Sequence, residues 1–177
     1  MPNPLHVLVL CTGNSARSIL GEAILQREGN DRILAFSAGS QPKGQPNPFA
    51  LRLLRAEGYD VSALHSKSWD IFSAQDAPRI DLAITVCDSA ASESCPVFFG
   101  APMRVHWGLA DPADIKGPDI MVEAAFRRTY NELFARTRAF MALPFETMAS
   151  ADLHKALVTI GGMEGRTAMT SGLAISS

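Results

Sequence analysis

The chain has 177 residues, 47% apolar and 19% charged, with a formal net charge of −2. That length carries one domain with a proper core and is short for two. The charge offers no basic field for nucleic acid, and no apolar run approaches a membrane span, so neither partner is expected.

The opening Met1-Pro2-Asn3-Pro4 has neither the basic region nor the apolar stretch of a signal peptide, so a cytoplasmic location is expected. Thiols stay reduced there, and the three cysteines read as chemical or inert rather than as disulfides. Val7 to Leu10 is a short apolar run, the mark of a strand buried on both faces. Ser18 to Glu28 carries Ile19, Ala23 and Ile24 at helical spacing, with Gly29 as a stop. Ile33 to Ser37 reads as a second strand. A proline-rich loop follows, then a helix from Phe49 to Glu57 that ends at Gly58. Leu82 to Val86 is a third strand and Met103 to Val105 a short fourth. A long helix runs from Pro118 to about Met141, with Val122, Ala125, Phe126, Leu133 and Phe140 inward. Pro144 breaks it. Ser150 to Ile160 is a further helix, amphipathic through Ala151, Leu153, Ala156, Leu157 and Ile160. The alternation predicts an α/β fold, a parallel sheet with helices on both faces, which binds ligands beyond the carboxyl ends of its strands. Cys11 and Cys87 fall at that edge. The expected units are a core over 1–143, a helical extension over 144–162 and a flexible tail over 163–177.

Cys11-Thr12-Gly13-Asn14-Ser15-Ala16-Arg17-Ser18 has the form Cys, five residues, Arg, Ser between a strand and a helix. Such a turn aims several backbone N–H groups at one point beside a positive helix end, and so forms an oxyanion cradle from residues 12–18. Gly13 permits positive φ and Asn14 tolerates it. Arg17 adds a planar, permanently charged fork. The same environment favours a thiolate, so Cys11 is expected to be largely ionised at neutral pH, with the Ser18 hydroxyl as a hydrogen-bond partner.

The string VLVLCTGNSARS resembles the active-site loop of the low-molecular-weight protein tyrosine phosphatase superfamily. Ser37-Ala38-Gly39 resembles that family's next motif, and Asp111-Pro112 its general acid. The resemblance runs from about Leu5 to Leu143. It implies a three-layer α/β sandwich around a four-stranded parallel sheet, which the C-terminal helix would exceed. Ala16 departs from the many members with a second loop cysteine.

A phosphatase needs Cys11, Arg17 and an acid such as Asp111, but no further thiols. Cys87 and Cys95 stand eight apart in a small, polar stretch, too far for Cys-x-x-Cys redox or zinc patterns, and no metal site is expected. One reading makes them small buried hydrophobes. The other rests on "SAGSQPKGQPNPFAL", "CDSAASESCPVF" and "VHWGLADPAD", which resemble the arsenate reductases built on the phosphatase fold. That resemblance implies a relay in which Cys11 attacks arsenate, Cys87 resolves Cys11, and Cys95 resolves Cys87. Thioredoxin or another thiol donor would reduce the last disulfide, and no tightly bound cofactor is implied. Phosphate would bind as an analogue. The stretch after Asp111-Pro112 has no aromatic residue to line a phosphotyrosine slot, which favours a small oxyanion over the alternative of a tyrosine phosphatase. Asn14, Glu22 and Ser37 match positions that some reductase relatives use around potassium. Lys67 falls at the fourth position and is expected to replace a monovalent cation. His106 and Trp107 are expected to be structural.

Overall fold

The computed structural model describes residues 3–167. Four parallel strands form one sheet: β1 (Leu5–Cys11), β2 (Ile33–Gly39), β3 (Leu82–Thr85) and β4 (Met103–His106), in the order β2-β1-β3-β4. The helices are α1 (Arg17–Gly29), α2 (Pro48–Ala56), α3 (Asp88–Ser92), α4 (Asp119–Met141) and α5 (Ser150–Gly161).

The alternation of side chains along β1 divides the core. Val7, Val9 and Cys11 join the larger cluster, with Ile19, Ile24, Phe126, Leu133, Phe140 and Leu157 from α1, α4 and α5. Leu8 and Leu10 face the smaller one, closed by Trp69, Phe72, Ile80 and Phe98. The sheet thus has helical segments on both faces, as expected: α1, α4 and α5 on one, and the 3-10 helix Trp69–Phe72 with its flanking loops on the other. Each fully buried large side chain contributes roughly 1.5–3 kcal/mol. Gly21 lets α1 lie close on β1, because a Cβ there would stand 3.0 Å from Val9 Cγ1.

The connection from β1 goes to β2 on one side, and the chain then returns to β3 on the other side. The strand order therefore reverses at β1, where such sheets open a crevice at the carboxyl edge. Cys11 is the last residue of β1, level with Gly39 of β2.

Strands and long helices fall where the sequence puts them, within about two residues. α3 is not predicted by the sequence pattern, because five small residues, three of them polar, carry no apolar period. Asn47 caps α2 by accepting from Phe49 N at 2.9 Å, with Pro48 at its first position. In α4, Val122 and Ala125 are only half-buried while Phe126, Leu133 and Phe140 are buried. In α5, Leu153, Leu157 and Ile160 face inward, but Ala151 is exposed, because two residues before Leu153 is roughly the opposite side of the helix.

α5 covers the body of the domain along β4. Trp107, 1% exposed, donates its Nε1–H to Leu157 O at 3.0 Å and meets Phe140 edge-on. Buried Arg136 of α4 donates to Met163 O and Glu164 O at 3.0 and 3.1 Å. Arg166 bridges to Leu109, and Thr167 N donates to Gly108 O at 3.0 Å. Residues 163–167 of the expected tail are thus held against the body, and 168–177 lie outside the described residues. No helix among the described residues is long and apolar enough to cross a membrane.

Candidate active site

The loop after β1 closes around the Cys11 sulfur. Asn14 N donates to Cys11 Sγ at 3.2 Å, and Ser18 Oγ lies 3.0 Å away. Asn14 adopts φ +42°, the left-handed conformation an asparagine tolerates. Gly13 does not need it. Its missing Cβ instead admits Lys43, whose Cε would stand 3.2 Å from such an atom. No side chain caps α1, so its first N–H groups remain available to the cradle.

Asn14 is fixed on every polar atom of its side chain. Lys67 N donates to its Oδ1 at 2.9 Å, so the other end is the amide nitrogen. That Nδ2 donates to Ser18 Oγ at 2.8 Å and Ser37 Oγ at 2.9 Å. Ser37 donates to Glu22 Oε2, and Lys67 Nζ stands 3.8 Å from the same oxygen. Lys67 thus reaches Asn14 with its backbone and Glu22 with its ammonium, while its Nζ also donates to His65 O at 3.0 Å. Burial raises the Glu22 pKa against the pull of Lys67 and Ser37, and burial lowers that of Lys67 against Glu22. All four residues named for a cation site are brought together, and the Lys67 ammonium is the positive charge among them, beside the Glu22 carboxylate.

Gly39 stands at the back of the cradle. A Cβ there would run into Thr12 O, Asn14 N at 2.9 Å and Cys11 O at 3.0 Å. Only glycine lets the end of β2 pass this close to the loop.

Arg17 reaches across to the segment after β4. Its Nη1 donates to Leu109 O at 2.8 Å and its Nη2 to Asp111 Oδ2 at 3.0 Å. Asp111 also accepts from Ala113 N at 3.0 Å through its other oxygen, so both carboxylate oxygens are oriented. This brings the acid to the rim of the cradle.

The expectation of an ionised Cys11 is corrected. Burial pushes its thiol above the ordinary value; the Ser18 hydrogen bond opposes this, a neighbouring Cys87 charge adds to it, and Asn14 N and Arg17 pull down more weakly. The sequence shows the donors but not the 4% exposure that outweighs them.

Cys87 is buried beside the cradle. It caps α3 by accepting from Ala90 N at 3.3 Å, and Thr12 Oγ1 lies 3.6 Å from its sulfur. Thr12 donates to Glu93 Oε1 at 3.3 Å, which leaves the Cys87 S–H to donate to Thr12. Cys95 is half-buried and packs against the smaller cluster, away from Cys87. All three thiols are free.

Sequence reasoning missed Glu93 and gave His106 a structural role without naming its partners. His106 Nε2 meets Asp88 Oδ1 at 2.8 Å and its Nδ1 meets Thr85 Oγ1 at 2.7 Å. Asp88 also accepts from Thr167 at 2.6 Å. No motif signalled these contacts, which join elements far apart in the chain. Among the described residues no group of three or more His, Cys, Asp or Glu side chains could hold a metal ion.

A cysteine at the floor of an anion cradle, at the switch point of this sheet, with arginine and aspartate across the rim, defines a cysteine-dependent phosphatase-like protein. The chain belongs to the low molecular weight phosphotyrosine protein phosphatase family, whose model matches residues 6–155. It is 37% identical over 138 residues to an arsenate reductase of Halalkalibacterium halodurans, covering 78% of this chain and 96% of that one. An arsenate reductase of Bacillus subtilis is 33% identical over 134 residues, covering 76% and 93%. Among solved structures, an arsenate reductase from Archaeoglobus fulgidus aligns with a TM-score of 0.60 at 25% identity, over 77% of this chain and 99% of that one. The tyrosine phosphatase Wzb from Escherichia coli K30, solved with sulphate, shares the fold at a TM-score of 0.59 and 23% identity, over 77% and 95%.

Proposed function

We propose that the protein is an arsenate reductase that turns arsenate into arsenite by a three-cysteine relay and serves arsenic detoxification. The reductase relatives support the overall reaction. The single observation that carries the relay is the second thiol, Cys87, buried against the cradle through Thr12. A phosphatase has no use for it.

In the first step Cys11 Sγ bonds to arsenic, and one arsenate oxygen leaves as water. The thiol proton supplies one of the two hydrogens, and Asp111 shuttles protons at the leaving oxygen. The cradle N–H groups and Arg17 hold the remaining oxygens. In the second, Cys87 attacks Cys11 Sγ. The sulfur–arsenic bond breaks, and its electron pair goes to arsenic, which departs as arsenite with the proton from Cys87. In the third, Cys95 attacks Cys87 Sγ, returns Cys11 to its thiol and leaves a Cys87–Cys95 disulfide. An external dithiol of the thioredoxin type reduces that bond and closes the cycle. The reaction needs no tightly bound cofactor. Lys67 occupies the role of a monovalent cation between Glu22 and Asn14.

Arsenate turnover with a thioredoxin system, set against hydrolysis of a chromogenic aryl phosphate, tests the reading. Cys87→Ser abolishes the first and spares the second, which the cradle alone supports weakly. If the variant spares both, the relay is wrong.

A further inference from the structure

The stretch from Ser40 to Asn47, between β2 and α2, carries no residue of the proposed chemistry, yet it forms the outer wall of the cradle. Gln41 N donates to Thr12 O at 2.9 Å, Lys43 N to Gly13 O at 3.0 Å and Asn47 N to Ser15 O at 2.8 Å. Across a planar trans peptide the next N–H points the opposite way from the carbonyl. With these three carbonyls turned outward, the N–H groups of Gly13, Asn14 and Ala16 face inward, and Asn14 N lies 3.2 Å from Cys11 Sγ.

The side chain of Lys43 belongs to the same wall. Its Cγ, Cδ and Cε stand 3.4, 3.5 and 3.2 Å from the place that a Cβ of Gly13 would take, so the stem lies flat on the glycine. The ammonium is one bond beyond the closest of these atoms.

The charges around the loop leave Lys43 unpaired. Asp111 is matched by Arg17 at 3.0 Å and Glu22 by Lys67 at 3.8 Å. Glu93 accepts from Thr12 and has no cationic partner among the described residues. Lys43 is exposed, and among the described residues no carboxylate lies within ion-pair distance of it. Without Lys43 the side chains held to the loop would carry a net negative charge, which repels an anion; with it they balance.

We propose that Lys43 is the residue by which the cradle selects doubly charged tetrahedral oxyanions over singly charged ones. The inference rests on reading the loop as an oxyanion site and not on the thiol relay. The ammonium has no need to touch the anion, because it acts through its field from the far side of Gly13. That interaction energy is linear in the charge of the ligand, so the affinity gained by a dianion is the square of that gained by a monoanion.

Sulfate and perchlorate test this, since both are tetrahedral and they differ by one charge. In the full chain with Cys87→Ser and Cys95→Ser, Cys11 is the one thiol. The concentration of each anion that halves alkylation of Cys11 by iodoacetamide is measured at low ionic strength. Lys43→Met keeps an unbranched stem over Gly13 and removes the charge. It is expected to raise the half-protecting concentration about threefold for perchlorate and about tenfold for sulfate, and added sodium chloride is expected to narrow both gaps. Lys43→Arg is expected to restore both values. Equal shifts for the two anions, or no shift in Lys43→Met, would overturn the selection by charge. A shift that Lys43→Arg fails to restore would overturn it too, because the packing of the stem would then be responsible. If sulfate fails to protect Cys11 even with Lys43 in place, the oxyanion reading of the loop falls and the proposal falls with it.

Discussion

The Ser18 hydroxyl stands 3.0 Å from Cys11 Sγ, and a third residue holds it there. Asn14 Nδ2 donates to Ser18 Oγ and leaves the serine proton free to be given to a Cys11 thiolate. The ionised sulfur would thus receive two donors, Ser18 O–H and Asn14 N–H, against the burial that raises its pKa.

Ser18→Ala removes the larger of those opposing effects. A hydrogen bond to a charged group contributes roughly 1.5–3 kcal/mol, and 1.36 kcal/mol is one pKa unit, so thiolate at neutral pH falls about tenfold or more. Iodoacetamide alkylation in a Cys87→Ser, Cys95→Ser background measures this. A raised thiol pKa means that the neutral form dominates at pH 7, so the wild-type rate climbs as pH rises past the ordinary thiol range. Ser18→Ala is expected to move that profile further to high pH. A profile that stays put would show that burial alone governs Cys11.

The cradle was legible in the sequence because its parts are contiguous: a strand, small residues and an arginine in one loop. So was the sheet, whose strands are unbroken apolar runs. What stayed hidden was what other segments bring to that loop. The turn through Asn14 could be read from the residues, but its link to Ser37 and Lys67, 23 and 53 positions away, was reachable only through the family resemblance. The ionisation of Cys11 was misread for the same reason, since local donors are visible in a string and burial by the rest of the fold is not. α3 was hidden by its own shortness, because it is held by a thiol cap and a carboxylate rather than by an apolar stripe.

Gly39→Ala tests how tightly the cradle is set. The added methyl would meet backbone, not a movable side-chain end, at Asn14 N and Cys11 O. The loop must shift, and a displacement of about 1 Å at a reacting centre costs roughly 100-fold in rate. The expected outcome is a fall of about that size in kcat/KM for both arsenate and an aryl phosphate, with the fold kept as judged by circular dichroism. A loss confined to arsenate would place the damage in the relay instead.

Lys67→Ala tests the ammonium between Glu22 and the loop. Breaking a buried pair leaves an uncompensated charge and costs about 3–5 kcal/mol; these side chains are 11% and 15% exposed, so the lower end or less is expected. Urea unfolding would show a lower midpoint, and turnover would fall with it. The wild-type rate is expected to be the same in potassium and in tetramethylammonium at equal ionic strength. A clear potassium dependence of the wild type would rule out the ammonium as its substitute.

In the proposed relay, the contact between His106 and Asp88 is expected to set the rate of the last exchange. Cys87 belongs to the core on one side of the sheet and Cys95 packs against the core on the other, with α3 between them. A bond between the two sulfurs is therefore expected to draw α3 away from the end of β3. Asp88, the first residue of α3, is held by His106 Nε2 at 2.8 Å and Thr167 Oγ1 at 2.6 Å. Gly108 leaves room for this clasp, since a Cβ there would stand 2.5 Å from His106 Nε2 and 2.8 Å from Asp88 Oδ1. Asp88→Ala removes hydrogen bonds to a carboxylate, roughly 1.5–3 kcal/mol, so α3 opens more often by a factor of about ten or more. In a Cys11→Ser background under diamide, Cys87–Cys95 disulfide should form faster in Asp88→Ala by that factor, and His106→Ala should behave alike. Alkylation of Cys11, measured in otherwise unaltered thiol surroundings, should not change. Slower disulfide formation in both variants would reverse the assignment, because the clasp would then be holding Cys87 in place for attack rather than holding it back.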